Sequence, residues 1–210
     1  MKVIKFLKAH KQFTVFSFLA VLIVLTAVFA PVIAPRDPLY AVMNDSLKAP
    51  CAEYICGADK LGRDVLSRVI FGTRSSLTMT LSLVAVVFVV GTSLGVISGF
   101  FGGAVDEIIM RISDMMISFP GLVLAIAIAG LLGPNMVNAV LAIAAVSWTK
   151  YARLSRSLVI KVKNSVFIEA AVLSGTKTHN IILRHILPNI ISTMIITAAS
   201  DIGTMMLELA

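Results

Sequence analysis

The sequence predicts an all-α protein, a polytopic bundle of transmembrane helices, and three observations carry that prediction. Of 210 residues, 58% are hydrophobic and 14% charged, and the mean hydropathy is +0.97. An average soluble domain has about 45–50% apolar and about 25% charged residues. The charges are also segregated: Gln12–Pro35, Ser75–Val105 and Met115–Thr149 are charge-free runs of 24, 31 and 35 residues. Finally, a chain this short cannot hide so much apolar surface in one aqueous core. Disordered, nucleic-acid-binding and secreted disulfide-scaffold classes are excluded on the same grounds. The bilayer is the solvent, and no nucleic-acid partner is expected.

A crossing needs roughly 20 residues at 1.5 Å each. The first run fits one helix at 13–34, following a basic tail at 1–12. A loop at 35–76 follows, and the second run fits one helix at about 77–100. The third run is too long for one span and is interrupted by the turn signal Gly133-Pro134-Asn135. It divides into short spans at about 118–132 and 136–148, joined by a tight hairpin. A fifth apolar stretch runs from Pro188 to the end, with Asp201 and Glu208 inside it. Residues 77–210 thus form the core domain.

Basic residues report orientation in a membrane protein. The tail carries Lys2, Lys5, Lys8 and Lys11 with no acid, and Lys150–Arg184 carries seven basic residues against Glu169 alone. Both segments are expected in the cytoplasm, and the four spans between them agree in parity. The N-terminus is therefore cytoplasmic. The first run is too long for the h-region of a secretory signal, so it reads as a retained helix.

Gly91, Gly95 and Gly99, four residues apart, share one helix face and would let another helix approach closely. Cys51 and Cys56, in a loop expected outside, could close a small disulfide ring or remain two unlinked thiols. Glu107 and Arg111 (i,i+4) and Arg111 and Asp114 (i,i+3) have helical pairing distances at the turn before the third span. Asp201 lies about halfway along the fifth span, where a carboxylate must face the bundle interior or water. Glu208 shares its face. Both are candidates to line a pathway, although Asp201 could also mark a broken or tilted helix end.

No catalytic constellation is present. Ser174-Gly175-Thr176-Lys177-Thr178 lacks the spacing of a phosphate-binding P-loop, and His10, His179 and His185 share no metal-ligand spacing. No cofactor or metal is expected in this chain. The segment at about 150–189 is long for a connection, yet it is not linker-like. Phe167–Ser174 favours a helix that Gly175 would stop. Ile181–Leu187 forms a second apolar stretch that Pro188 should end. Short helices with apolar faces need a partner surface.

That segment resembles the EAA loop of ABC-importer permeases, E-A-A-x₃-G-x₉-I-x-L-P. Glu169, Ala170, Ala171, Gly175, Leu187 and Pro188 stand at the family positions, and His185 stands where the family has Ile. The stretch Gly57–Arg68 resembles the G-T-D-x-x-G-R-D-V-L-S-R signature of the dipeptide/oligopeptide/nickel branch, with Ala58 for Thr. Gly102-Gly103-x₂-Asp106-x₃-Met110-Arg111-x₂-Asp114-x₃-Ser118-Phe119-Pro120 resembles its turn before the third span. Strings around Tyr151–Ile160 and Asp201–Leu207 lean toward the nickel-type permeases.

The resemblance implies one membrane subunit of an importer in a prokaryotic inner or plasma membrane, carrying peptides or nickel and metal chelates. Its implied partners are a second permease, two cytoplasmic ATPases that bind ATP and Mg, and an extracytoplasmic solute-binding protein. The EAA helices would seat on an ATPase, and this subunit would not itself be an enzyme. Family members have a sixth span, so the resemblance implies a chain truncated before it. The alternative reading is an ion- or proton-coupled secondary transporter or channel using Asp201. It calls for an inverted repeat, which the sequence does not contain. An intramembrane enzyme would need a catalytic pair inside the spans, and none is found.

Overall fold

The computed structural model describes residues 10–209; Lys2, Lys5 and Lys8 of the basic tail lie outside them. The chain divides into two compact units, residues 1–78 and 79–210. No strand occurs among the described residues, and the sole strand-like pairing is an isolated bridge between Ala58 and Asp64.

In the first unit, α1 (Lys11–Val28) is apolar on every side, and Ala27 is its only buried residue. Such all-round apolarity belongs to a helix meant for lipid or partner helices. The single helix expected over 13–34 is interrupted at Phe29, and a short helix α2 (Ala30–Ile33) follows. Pro31 explains the break: it has no N–H to continue the ladder but fits the first turn of a new helix.

The loop that follows is folded around Tyr54, which is buried. The Arg36 guanidinium lies 4.3 Å from the centre of its ring and the Lys48 ammonium 5.3 Å. Its hydroxyl donates to Asp45 at 2.9 Å. The Gly57–Arg68 string is a built turn. Asp59 accepts from the backbone N–H groups of Leu61 and Arg63 and from Arg63 Nε. These bonds, the Arg63 side chain first, hold the Asp59 carboxyl well below its ordinary range, at about 2. Asp64 then caps the next helix by accepting from the Ser67 N–H at 2.8 Å. Cys51 and Cys56 are exposed and unbonded, so the disulfide alternative is not the one adopted. The turn between them is closed by backbone instead: the Tyr54 carbonyl accepts from both Cys51 and Gly57 N–H.

Helix α3 (Val65–Phe101) starts well before the expected residue 77, because the Asp64 cap sets its beginning. In the second unit, α4 (Gly103–Ile117) follows Gly102 and Gly103, both at positive φ. A bend of 91° separates α4 from α5 (Gly121–Leu132), with Pro120 at the N-cap of α5. The third span expected at 118–132 is thus a helix of 12 residues. At 1.5 Å per residue it is about 18 Å long, short of a bilayer core. The hairpin at Gly133-Pro134-Asn135 forms: Gly133 has φ +87°, and the Asn135 side chain accepts from Val137 N–H at the start of α6. Asn138 ties the hairpin down by donating to the Leu132 carbonyl at 2.7 Å.

Helix α6 (Met136–Lys163) does not end near Trp148. It continues through the first 14 residues of the segment expected to be a loop, because Lys and Arg are good helix formers. Its buried face also carries on through Tyr151, Ala152, Ser155 and Val159. Helix α7 (Val166–Leu173) and a turn of helix α8 (Thr178–Asn180) follow. A π-helical stretch, Ile181–Ile186, leads directly into α9 (Leu187–Leu209).

Pro188 therefore does not end the second apolar stretch, because the chain stays helical through it. The widened turn takes up the missing donor. Leu187 N–H reaches back five residues to the Ile182 carbonyl, and the Asn189 side chain donates to the His185 carbonyl. π-Turns commonly mark such insertions.

Helix α6 is the axle of the unit. One core joins Leu83, Val84 and Val87 of α3 to Ala125 of α5, to Ile143, Val146 and Tyr151 of α6, and to Met194 and Met205 of α9. A second core joins Val96, Val159, Ile168, Ile181, Ile186 and Ile190. Among the described residues, three helices are long and apolar enough to cross a membrane: α1, α3 and the continuous stretch Thr178–Leu209. The bent α4–α5 pair is a fourth candidate. Helix α6 is apolar in its first half and basic in its second.

Candidate functional site

The glycine stripe faces α6 at backbone contact. A Cβ built on Gly91 would lie 2.6 Å from the Trp148 carbonyl and 2.5 Å from Tyr151 Cβ. One on Gly95 would lie 1.8 Å from Ser155 Oγ and 2.2 Å from the Ala152 carbonyl, and one on Gly99 would lie 2.9 Å from the Arg156 carbonyl. Real Cβ atoms do not come this close, so each glycine is required by space. The Ser155 hydroxyl lies within 3.3 Å of the Thr92 carbonyl across the same seam.

The basic half of α6 is bonded into the bundle. Lys150 Nζ donates to both oxygens of Asp201 on α9, at 2.7 and 2.8 Å. Arg153 pairs with Asp114 and lies beside Ser113 on α4. Arg156 makes a two-pronged bond to Asp106, which also accepts from the Ser98 hydroxyl. Lys163 Nζ caps the end of α3 through the Phe100 carbonyl at 2.7 Å.

Two expectations change accordingly. Glu107 and Arg111 do pair on the surface, at 2.7 Å, whereas Asp114 bonds Arg153 in place of Arg111. Nor is Asp201 a lone carboxylate: it is buried and bonded to a lysine 51 residues away. Sequence reasoning missed Lys150, Arg153 and Arg156 as the counterparts of Asp201, Asp114 and Asp106. The available signal was their three-residue spacing, which keeps successive bases within the α6 surface that meets α4 and α9.

Asp201 and Glu208 line one cavity of about 310 Å³ between α4–α5, α6 and α9, together with Lys150, Ser147 and Thr204. Asp201 is buried in its wall, and Glu208 is exposed at its side.

Helix α7 ends in two reciprocal backbone bonds around Gly175. Gly175 N–H donates to the Val172 carbonyl and Thr176 N–H to the Ala171 carbonyl. This is the Schellman arrangement, which demands a left-handed residue at the position after the cap. Gly175 supplies it, with φ +74°. Among the described residues, and apart from its chain neighbours, nothing lies within 4 Å of where its Cβ would be, so the requirement is conformational.

Ile168 pins α7 to the second core, leaving Val166, Val172 and Leu173 exposed, Leu173 at 89%. Glu169 and Ala170 are also exposed, and Ala171 is half-buried. Among the described residues Glu169 makes no ion pair. His185 is half-buried in the π-turn beside Leu187, and Pro188 is exposed. No group of three His, Cys, Asp or Glu side chains able to hold a metal ion occurs among the described residues.

The second unit is an apolar helical bundle with a glycine-capped helix standing off its central helix. Residues 91–210 match the family of binding-protein-dependent transport system inner membrane components, and the chain belongs to that family. The dipeptide transport system permease protein DppC of Alkalihalophilus pseudofirmus is 40% identical over 208 residues, 98% of this chain and 68% of the relative. The probable D,D-dipeptide transport system permease protein DdpC of Escherichia coli (strain K12) is 38% identical over 209 residues, 100% of this chain and 70% of the relative. The nickel transport system permease protein NikC of the same strain is 36% identical over 176 residues, 84% of this chain and 64% of the relative. These identities do not single out the nickel type. Membership of this family also replaces the alternative of an ion-coupled transporter working through Asp201.

Proposed function

We propose that this chain is one of two permease subunits of an ATP-driven importer for peptides or metal chelates. It works with a second permease, two cytoplasmic ATPases that bind ATP and Mg, and an extracytoplasmic solute-binding protein. The chain itself is non-catalytic. Its basic segment and tail face the cytoplasm of a prokaryotic cell, as the positive-inside bias requires.

The observation that carries this reading is α7. It is a short helix fixed at one end by its Gly175 cap, anchored inward by one side chain, and apolar on its outward surface except for Glu169. The exposed Val166, Val172 and Leu173 on a helix of 8 residues mark a surface for contact with another protein or with lipid, and the cytoplasmic placement of this segment favours a protein. In a family of transport permeases that protein is the ATPase. A load applied to α7 passes through Ile168 into the second core, where Val159 of α6 and Ile190 of α9 meet Val96 of α3. Movement of the ATPases thereby rocks the helices that line the path.

Gly175→Val tests this. A β-branched residue in the left-handed region costs roughly 1–2 kcal/mol and misdirects the chain leaving α7. ATP-driven uptake should fall at least tenfold while the variant still inserts and co-purifies with the other permease. Unchanged uptake would remove α7 from the coupling route.

A further inference from the structure

A groove of about 550 Å³ opens in the first unit between the end of α2 and the second turn of α3. Pro31, Pro35, Pro38 and Phe71 give it apolar walls, and Arg36 and Asp37 supply the two charges of its lining. The volume is that of an ordinary small-molecule pocket. The coupling route through α7 does not include it.

Chain length sets the depth of the groove from both sides. Helix α1 has 18 residues, about 27 Å at 1.5 Å each, close to the roughly 30 Å of a hydrocarbon core. The chain leaving α1 therefore passes through the headgroup layer over residues 30–39. On α3 the charge-free run begins at Ser75, and Phe71 stands about 6 Å outside it. Both lengths put the groove at headgroup level on the face opposite Lys11. Val32 and Leu39, 82% and 78% exposed, need an apolar neighbour at that level.

Arg36 is held in place, because its backbone N–H donates to the Ser67 hydroxyl at 3.0 Å and its guanidinium lies over Tyr54. Glu53 accepts from Nη2 at 2.9 Å, and the side chain is still 32% exposed. A guanidinium has five donors, so several remain for a phosphate. Glu53 also bonds Lys48 at 3.2 Å and keeps a partner when Arg36 shares its charge. Asp37 is exposed and forms no ion pair among the described residues. Its Oδ1 accepts from the Leu39 N–H at 2.8 Å, which leaves Oδ2 for a cation.

We propose that this groove seats a phospholipid whose headgroup joins a phosphodiester to a primary ammonium. The phosphate takes Arg36, the ammonium takes Asp37, and the upper acyl chain lies against the proline and Phe71 walls. The lining carries one cation and one anion, so a headgroup with both signs answers both and adds no net charge. A headgroup with a phosphate and no cation leaves Asp37 unanswered. A trimethylammonium has no N–H to give the carboxylate, so it forgoes the charge-assisted hydrogen bond. The site needs only a chain that spans a membrane, and it holds whatever the cargo.

The test uses the assembled transporter in phosphatidylcholine nanodiscs. The probe is phosphatidylethanolamine with a diazirine on the upper part of one acyl chain. On illumination, adducts should concentrate at residues 31–39 and at Phe71. Unlabelled phosphatidylethanolamine should suppress them at least tenfold, and phosphatidylglycerol at the same mole fraction less than twofold. Asp37→Asn keeps an acceptor for the Leu39 N–H and removes only the charge, and it should lower labelling at least threefold.

Adducts spread evenly along α1, with no enrichment in these segments, overturn the site. Equal suppression by phosphatidylglycerol, or undiminished labelling in Asp37→Asn, overturns the headgroup assignment. A photo-crosslinker at Leu39 that joins the second permease or the solute-binding protein in place of lipid also overturns the proposal. The wild-type labelling and competition decide the matter even if the variant fails to assemble. None of these readouts involves ATP-driven uptake, which tests the permease reading separately.

Discussion

Two sets of glycines in this chain look alike in sequence and are required for different reasons. Gly91, Gly95 and Gly99 sit in helical backbone that any residue could adopt, but each meets α6 where a methyl group has no room. Gly175 is the reverse: apart from its chain neighbours no described residue crowds it, and its backbone lies in the left-handed region. The first set fixes how the bundle packs, while the second fixes where a short exposed helix stops. Substitutions should accordingly harm assembly in one place and coupling in the other.

The largest effect is expected at Gly95. Gly95→Val places new atoms on the Ser155 hydroxyl and on the Ala152 carbonyl, and the carbonyl, being backbone, cannot withdraw without separating α3 from α6. Overpacking typically costs about 1–3 kcal/mol, and here the obstacle is backbone. The variant should lose most of its folded yield in detergent, read by size-exclusion profile and thermal melting. A wild-type melting curve would break the seam half of the comparison.

Gly175→Val comes next, with uptake lost but the melting curve nearly unchanged. Gly175→Asn sharpens the contrast: asparagine tolerates the left-handed region better than other non-glycine residues, so it should recover much of the uptake. Gly99→Ala should be milder than either change, because its nearest obstacles lie at 2.9–3.1 Å and two of the three are the Val159 side chain. A shift of a few degrees in melting temperature is expected.

The smallest effect concerns the loop of the first unit. The Asp59 carboxyl titrates near 2 in the fold against its ordinary 3.8, so its bonds contribute fully above about pH 4. That contribution is lost as pH falls through about 2. Hydrogen exchange of the Leu61 and Arg63 amides should therefore stay slow at pH 5 and accelerate only below about pH 3. Acceleration near pH 4 would mean that Arg63 does not hold this carboxylate.

Features set by a few adjacent residues were legible in the sequence. Gly133-Pro134-Asn135 forms its hairpin, and Gly175 takes the left-handed position, because turn and cap geometry depend on local backbone preference. The glycine stripe could be recognised by its spacing, although its partner helix could not. Features set by distant packing were hidden.

Nothing local to Lys150 names Asp201, 51 residues away, or tells Asp114 to choose Arg153 over Arg111. Charge also misled about length. Lys150 marks where an apolar run ends, but helix propensity is indifferent to that boundary, so α6 runs on to Lys163. Pro188 reads as a stop, yet the widened turn before it supplies the register that a proline otherwise breaks.

What covers α7 decides how the bundle is driven. Leu173→Cys, in a background of Cys51→Ser and Cys56→Ser, can carry a benzophenone maleimide on the most outward side chain of that helix. Illumination of the assembled transporter should join this position to an ATPase subunit, and Gly175→Val should reduce the yield severalfold. Adducts to lipid or to the solute-binding protein, with none to the ATPase, would contradict the account.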